Sequence, residues 1–191
     1  MVMKAIILNS ADKLAGVHDS YRTILDSEGK NWLESEAYSS PFIPLDDQMG
    51  AGHLNVQKSV AQLAPGESDP GDVPHIGWDF GETSGRGSVI SYNLGELESG
   101  YIAATLAWDR IVELSDPDNS YEEGDQFFYP SPPPYLDLFL VDNSNGLAVK
   151  YSASADTSLE HIFAEIPRPG ENSIEVRHNN FGVNKEIEYG L

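Results

Sequence analysis

The chain has 191 residues, and its 31 acidic against 11 basic side chains give a formal net charge of -20. That balance argues against DNA or RNA and against an anionic membrane surface, because both need clustered Lys and Arg. There is no cysteine, so disulfides, thiolate zinc sites and cysteine nucleophiles are excluded, and the length fits one domain plus a smaller appendage.

The opening Met1 to Leu8 carries one Lys and a short apolar segment. It lacks the length and small-residue cleavage site of a signal peptide, so if the protein is exported its signal is expected outside this chain. Lys4 to Ala11 has Ala, Ile, Leu and Lys without Gly or Pro and reads as a short helix. Such a helix is marginal in water unless something packs on it. Residues 12 to 47, rich in Gly, Pro, Ser and acidic residues, read as a loop excursion with a short helix or hairpin between Tyr21 and Trp32.

A second helix is expected after Asn55, a natural N-cap. Val56, Val60 and Leu63 form its i, i+4, i+7 apolar stripe, and Ala64-Pro65-Gly66 ends it. Pro65 to Pro74 is a linker by composition. The predicted division is a helical segment, 1–65, and a β domain, 66–191.

Downstream, apolar alternation marks strands at Ile76-Trp78-Phe80, Ile90-Tyr92-Leu94 and Ile102-Ala104-Leu106-Trp108, the last running towards Leu114. A glycine-rich hairpin turn is expected from Gly81 to Gly87. After an acidic, Pro-rich excursion from Ser115 to Pro134 comes the clearest unit, a hairpin. Leu136, Leu138 and Leu140 alternate on one strand, Leu147, Val149 and Tyr151 on the other, and Asn143-Ser144-Asn145-Gly146 makes the turn. Strands at 159–166, 172–178 and 183–189 complete the set. About eight strands with closely spaced turn signals predict a mainly β fold, a β-sandwich of jelly-roll type.

No motif carries catalysis. His18-Asp19-Ser20 has the letters of a hydrolase triad, but three consecutive side chains cannot converge as a triad must. Gly81 to Gly87 is followed by no helix, so it is neither a nucleophile elbow nor a phosphate cradle. Asp116, Asp118, Glu122 and Asp125 form the densest carboxylate cluster and are the candidate calcium ligands, although the EF-hand spacing fails. A solvated acidic loop is the plainer reading. Trp78, Trp108 and Tyr129 are a candidate sugar platform, but the two Trp stand in phase with apolar strand neighbours, which favours the core. The five His show no zinc spacing.

Lys4-Ala5-Ile6-Ile7-Leu8-Asn9-Ser10-Ala11 and Gly50-Ala51-Gly52-His53-Leu54-Asn55 resemble, in order, two segments near the end of the subtilisin-like catalytic domain. The β region is similar to the pre-peptidase C-terminal or P-like sandwich appended to secreted bacterial proteases. Leu136-Asp137-Leu138-Phe139-Leu140, Leu159-Glu160-His161-Ile162 and Pro169-Gly170 carry that likeness. The resemblance implies a secreted parent that is a serine endopeptidase. The family's Gly-Thr-Ser-x-Ala nucleophile motif and its Asp and His motifs are missing here, so no catalytic residue carries over.

The expected function is therefore that of a non-catalytic C-terminal region, aiding folding, secretion or substrate engagement. Its implied partners are the missing catalytic domain or a second copy of the chain, with a protein or polysaccharide substrate. The alternative is a free-standing carbohydrate- or calcium-binding module, and a third reading is an enzyme with an unrecognised acidic site. On the first reading, Ile6, Ile7, Leu8, Val56, Val60 and Leu63 have to find cover, by self-association, on the chain's own sandwich, or on the missing domain.

Overall fold

The computed structural model describes residues 1–14, 24–110, 113–114, 120, 122, 126–128, 135–180 and 184–191. The central hairpin forms as β7 (Leu136–Asp142) and β8 (Leu147–Ser152), joined by a turn at 143–146. Asp142 organises that turn, its carboxylate accepting from the Ser144 N–H and the Asn145 amide. Leu136, Leu138 and Leu140 are fully buried. The trio on β8 behaves differently. A register shift between Leu140 and Val141 sets Tyr151 opposite Phe139 on the outer face, and Leu147 is 67% exposed. Ser152 takes the inward position beside Leu138 instead. A bulge inverts which residues meet the core, and alternation alone cannot reveal it.

Around the hairpin stands a sandwich of two sheets with nine strands. The larger sheet has the order β1 (Gly71–Asp72), β3 (Val89–Leu97), β10 (Gly170–His178), β7, β8. The smaller runs β2 (Phe80–Thr83), β11 (Ile187–Gly190), β4 (Gly100–Trp108), β9 (Leu159–Ile166). A separate short ladder pairs β5 (Glu113–Leu114) with β6 (Phe127–Phe128). All sandwich pairings are antiparallel except β1 with β3. The core between the sheets takes Tyr92, Leu94, Ile174 and Val176 from one side and Leu106, Trp108, Ile162 and Tyr189 from the other.

Three details differ from the sequence expectation. The stretch read as linker holds β1, which a two-residue pairing makes invisible to periodicity. Ile76 and Trp78 precede β2 rather than belonging to it, and Ile76 is exposed. The glycines from 81 to 87 serve a crossing from β2 in one sheet to β3 in the other, not a hairpin.

The N-terminal segment lies on the outer face of the smaller sheet. Helix α1 (Val2–Asn9) buries Ala5 against Ala107 and Leu159, with Ile6 also sealed from solvent. The close approach depends on Gly190, where a Cβ would stand 2.5 Å from the Val2 nitrogen. Trp32, in a 3-10 turn (Trp32–Glu34) capped by Asn31, packs edge-on against Phe163 and His161 at 5.7 and 5.9 Å. Its indole N–H donates to the Gly50 carbonyl at 3.1 Å. A short helix, α2 (Glu36–Ser39), supplies Ala37 to the same cluster. Of the α1 side chains that need cover, Ile6 is buried within this chain and Leu8 packs partly buried against the Ala107–Leu159 patch, while Ile7 stays 41% exposed.

Candidate functional site

The two segments that carry the subtilisin-like resemblance lie side by side. Asp12, just after α1, and His53 exchange two backbone hydrogen bonds of 2.8 Å. Gly52 permits this. It holds φ +118, and a Cβ there would collide with the Asp12 carbonyl. Asn55 then caps α3 (Val56–Leu63), accepting from the Lys58 N–H at 3.0 Å, while its own amide and the Lys58 ammonium both engage the Asp12 carboxylate.

Helix α3 is seated through its polar side. Gln62 accepts from the Asn9 amide at 3.1 Å and donates to the Gly77 carbonyl at 3.0 Å, and Ser59 meets Ser10 at 2.5 Å. Its apolar stripe points the other way: Val56, Val60 and Leu63 are 63%, 61% and 42% exposed, with Leu54 exposed beside them. The expected amphipathic helix is present, but its orientation is inverted. The physical cause is local: the Asn55 cap and the Asn9–Gln62 and Ser10–Ser59 contacts fix the rotation of the helix. Hydrophobic burial then has no say within this chain.

From α1 a polar chain runs down to the sheet. Thr105 Oγ1 donates to Asn9 at 3.2 Å, so it accepts from Nδ1–H of His161 at 2.7 Å. Nε2 of His161 is then an unprotonated, buried atom with no partner among the described residues. Burial, reinforced by Lys13 nearby, holds the His161 pKa well below its ordinary value. The imidazole is neutral and structural.

Lys13 is the most unusual group. It is 3% exposed, its ammonium over the rings of Trp32 and Phe163 at 5.4 and 5.1 Å and within 3.3 Å of the Ala11 carbonyl. Burial, with Lys58 adding repulsion, pushes its pKa down to about 7. Lys13 borders a cavity of about 570 Å³ between α1, α3, the loop through Trp78 and strand β4. Sequence reading missed it, because a Lys inside a polar excursion gives no signal of burial.

The residues singled out from sequence fare unevenly. Trp108 is in the core, as its phase implied, whereas Trp78 is half-buried, lines the cavity and donates its indole N–H to the Leu63 carbonyl at 3.3 Å. Tyr129 and the His18-Asp19-Ser20 triplet lie outside the described residues. So do Asp116, Asp118 and Asp125; Glu122 is exposed, its carboxylate 3.3 Å from the Ser120 hydroxyl. Among the described residues no group of three or more His, Asp or Glu could hold a metal ion. No helix there is long and apolar enough to cross a membrane.

No protein-family model and no curated protein matches the chain.

Proposed function

We propose that the chain is the non-catalytic C-terminal region of a subtilisin-like serine protease, whose helix pair seats the catalytic domain that precedes it. The observation that carries this reading is the inverted helix α3. A helix that buries Gln62, half-buries Ser59 and leaves Val56, Val60 and Leu63 largely in water gains little from its own chain. About half exposed, each of those side chains forgoes roughly half of the ~1.5–3 kcal/mol that full burial of an exposed side chain supplies. A contiguous apolar stripe of this kind marks an interaction surface. The pairing of the two resembling segments through Asp12 and His53 supports the same reading. On this account the parent is a secreted endopeptidase, and the sandwich supports folding, export or substrate engagement.

A second reading, a free-standing carbohydrate- or calcium-binding module, draws on Ala5, Ile6 and Trp32, which are buried within this chain without outside help. It offers no role for the α3 stripe. A serine-directed fluorophosphonate probe separates the two. The proposal expects no labelling of this chain and stoichiometric labelling of the protein as its gene encodes it. Labelling of any Ser within residues 1–191, lost on denaturation, contradicts it.

A further inference from the structure

Among the described residues, the smaller sheet has an unfilled strand position beside β4. β11 meets β4 only through Tyr189 opposite Trp108 and Gly190 opposite Ala107, while β9 pairs along β4 from Gly100 to Ala107. The Trp108 N–H donates towards β9, to Ser158 at 3.1 Å. By the alternation of an antiparallel ladder, Leu106, Ala104 and Ile102 also face β9, and Thr105, Ala103 and Tyr101 face the other edge. Among the described residues, nothing pairs with the backbone of those three on that edge.

The cavity lies against this edge. It is lined by all of the consecutive residues from Tyr101 to Thr105, and neighbours whose side chains point to opposite faces can share a cavity only at the side of the strand. Tyr92, Leu94 and Ile174 wall it on the inner side, and Lys13 and Phe163 on the outer side. Leu191 closes one end; its backbone exchanges two hydrogen bonds with Asp79, so the line of β11 points straight into the slot.

We propose that this slot takes an extended peptide as an added strand along β4, its apolar side chains turned to Tyr92, Leu94 and Ile174 and an acidic side chain turned to Lys13. Unpaired N–H and C=O groups in a row select a peptide backbone over other ligands, because only another strand satisfies both in alternation. The side walls set the pattern, apolar inward and polar outward. Lys13 sets the charge. Its buried ammonium has three donors and, among the described residues, one acceptor, the Ala11 carbonyl, and the Asp12 carboxylate beside it is held by Lys58 and Asn55. A carboxylate delivered by the peptide completes it. The inference rests on the sandwich and Lys13 alone and stands whatever covers α3.

The test uses the full chain and a short blocked peptide alternating valine with threonine, one central threonine replaced by glutamate. NMR titration is expected to shift the amides of Tyr101, Ala103 and Thr105. N-methylation of the peptide at alternate positions is expected to abolish binding in one register. Replacing the glutamate by glutamine weakens binding about tenfold or more, the range of a charge-assisted hydrogen bond. Lys13→Met removes that difference, and Ala103→Pro, which spares the β9 ladder, blocks the strand. No saturation by about 1 mM, the weak end of the affinity scale, overturns the proposal. So do shifts confined to other surfaces, or indifference to N-methylation in both registers.

Discussion

Asp12 and His53 hold each other by two backbone hydrogen bonds of 2.8 Å, and that short ladder joins the end of α1 to the start of α3. The placement of α3 follows from it. The ladder fixes Asn55 beside the Asp12 carboxylate, the cap fixes α3, and α3 presents its polar side inward. Gly52→Ala is predicted to break the pair, because its Cβ would collide with the Asp12 carbonyl and its φ is left-handed. A loss of about 1–3 kcal/mol is expected in urea unfolding, with amide exchange accelerated selectively across α3.

Trp32 is the anchor of the whole segment, sealed between Phe163, His161 and Tyr38. Trp32→Ala is predicted to cost about 3–5 kcal/mol, the usual range for a buried large aromatic. Trp32→Phe keeps most of the packing and removes one of two hydrogen bonds to the Gly50 carbonyl, which keeps the Asp46 N–H, and it costs less. The reverse order in denaturant midpoints would place the stability in the hydrogen bond rather than the ring.

Glu160 gives a pH dependence with a definite sign. Burial raises its pKa to about 8, against the stabilising bonds from Ser152 and the Ser154 N–H at 2.8 Å. A raised folded pKa means stability that is complete below the unfolded value of about 4.3 and declines as pH rises to the folded one. Glu160→Gln should therefore be more stable than the wild type near pH 8 and above. The advantage should vanish near pH 5. Equal differences in melting temperature at both ends would show that the carboxyl is not protonated in the folded protein.

The two buried histidines act in the opposite direction. Burial depresses both His161 and His178, and each leaves Nε2 without a partner among the described residues. A depressed folded pKa gives stability that is present above the unfolded value of about 6.5 and lost as pH falls below it. In the Glu160→Gln background, melting temperature is predicted to fall from pH 8 to pH 7 through Lys13, whose folded pKa is pushed down to about 7, and to fall further towards pH 5 through the two imidazoles. NMR of the imidazole carbons should show both rings titrating below the ordinary histidine value of about 6.5.

Much of the sandwich is legible in the sequence, because strands that bury one face announce themselves by alternation. Ile90-Tyr92-Leu94 and Ala104-Leu106-Trp108 point inward as their phase requires. The strand on the far side of the hairpin does not, since a single bulge reverses the faces without altering the pattern. The Asn55 cap was readable, but not the direction of the stripe behind it, which Asn9 and Ser10 decide from a distant part of the chain. Lys13 and the open edge of β4 leave no local trace at all. One depends on tertiary burial, the other on where a different strand stops.

The most direct test of the central claim is photocrosslinking from position 60, with a benzophenone amino acid replacing Val60 in the protein as its gene encodes it. The account predicts a crosslink within one polypeptide, from α3 to a preceding domain that bears the Gly-Thr-Ser-x-Ala nucleophile segment. Crosslinks only between copies of this chain, or none, would contradict it and leave a self-contained module as the better description.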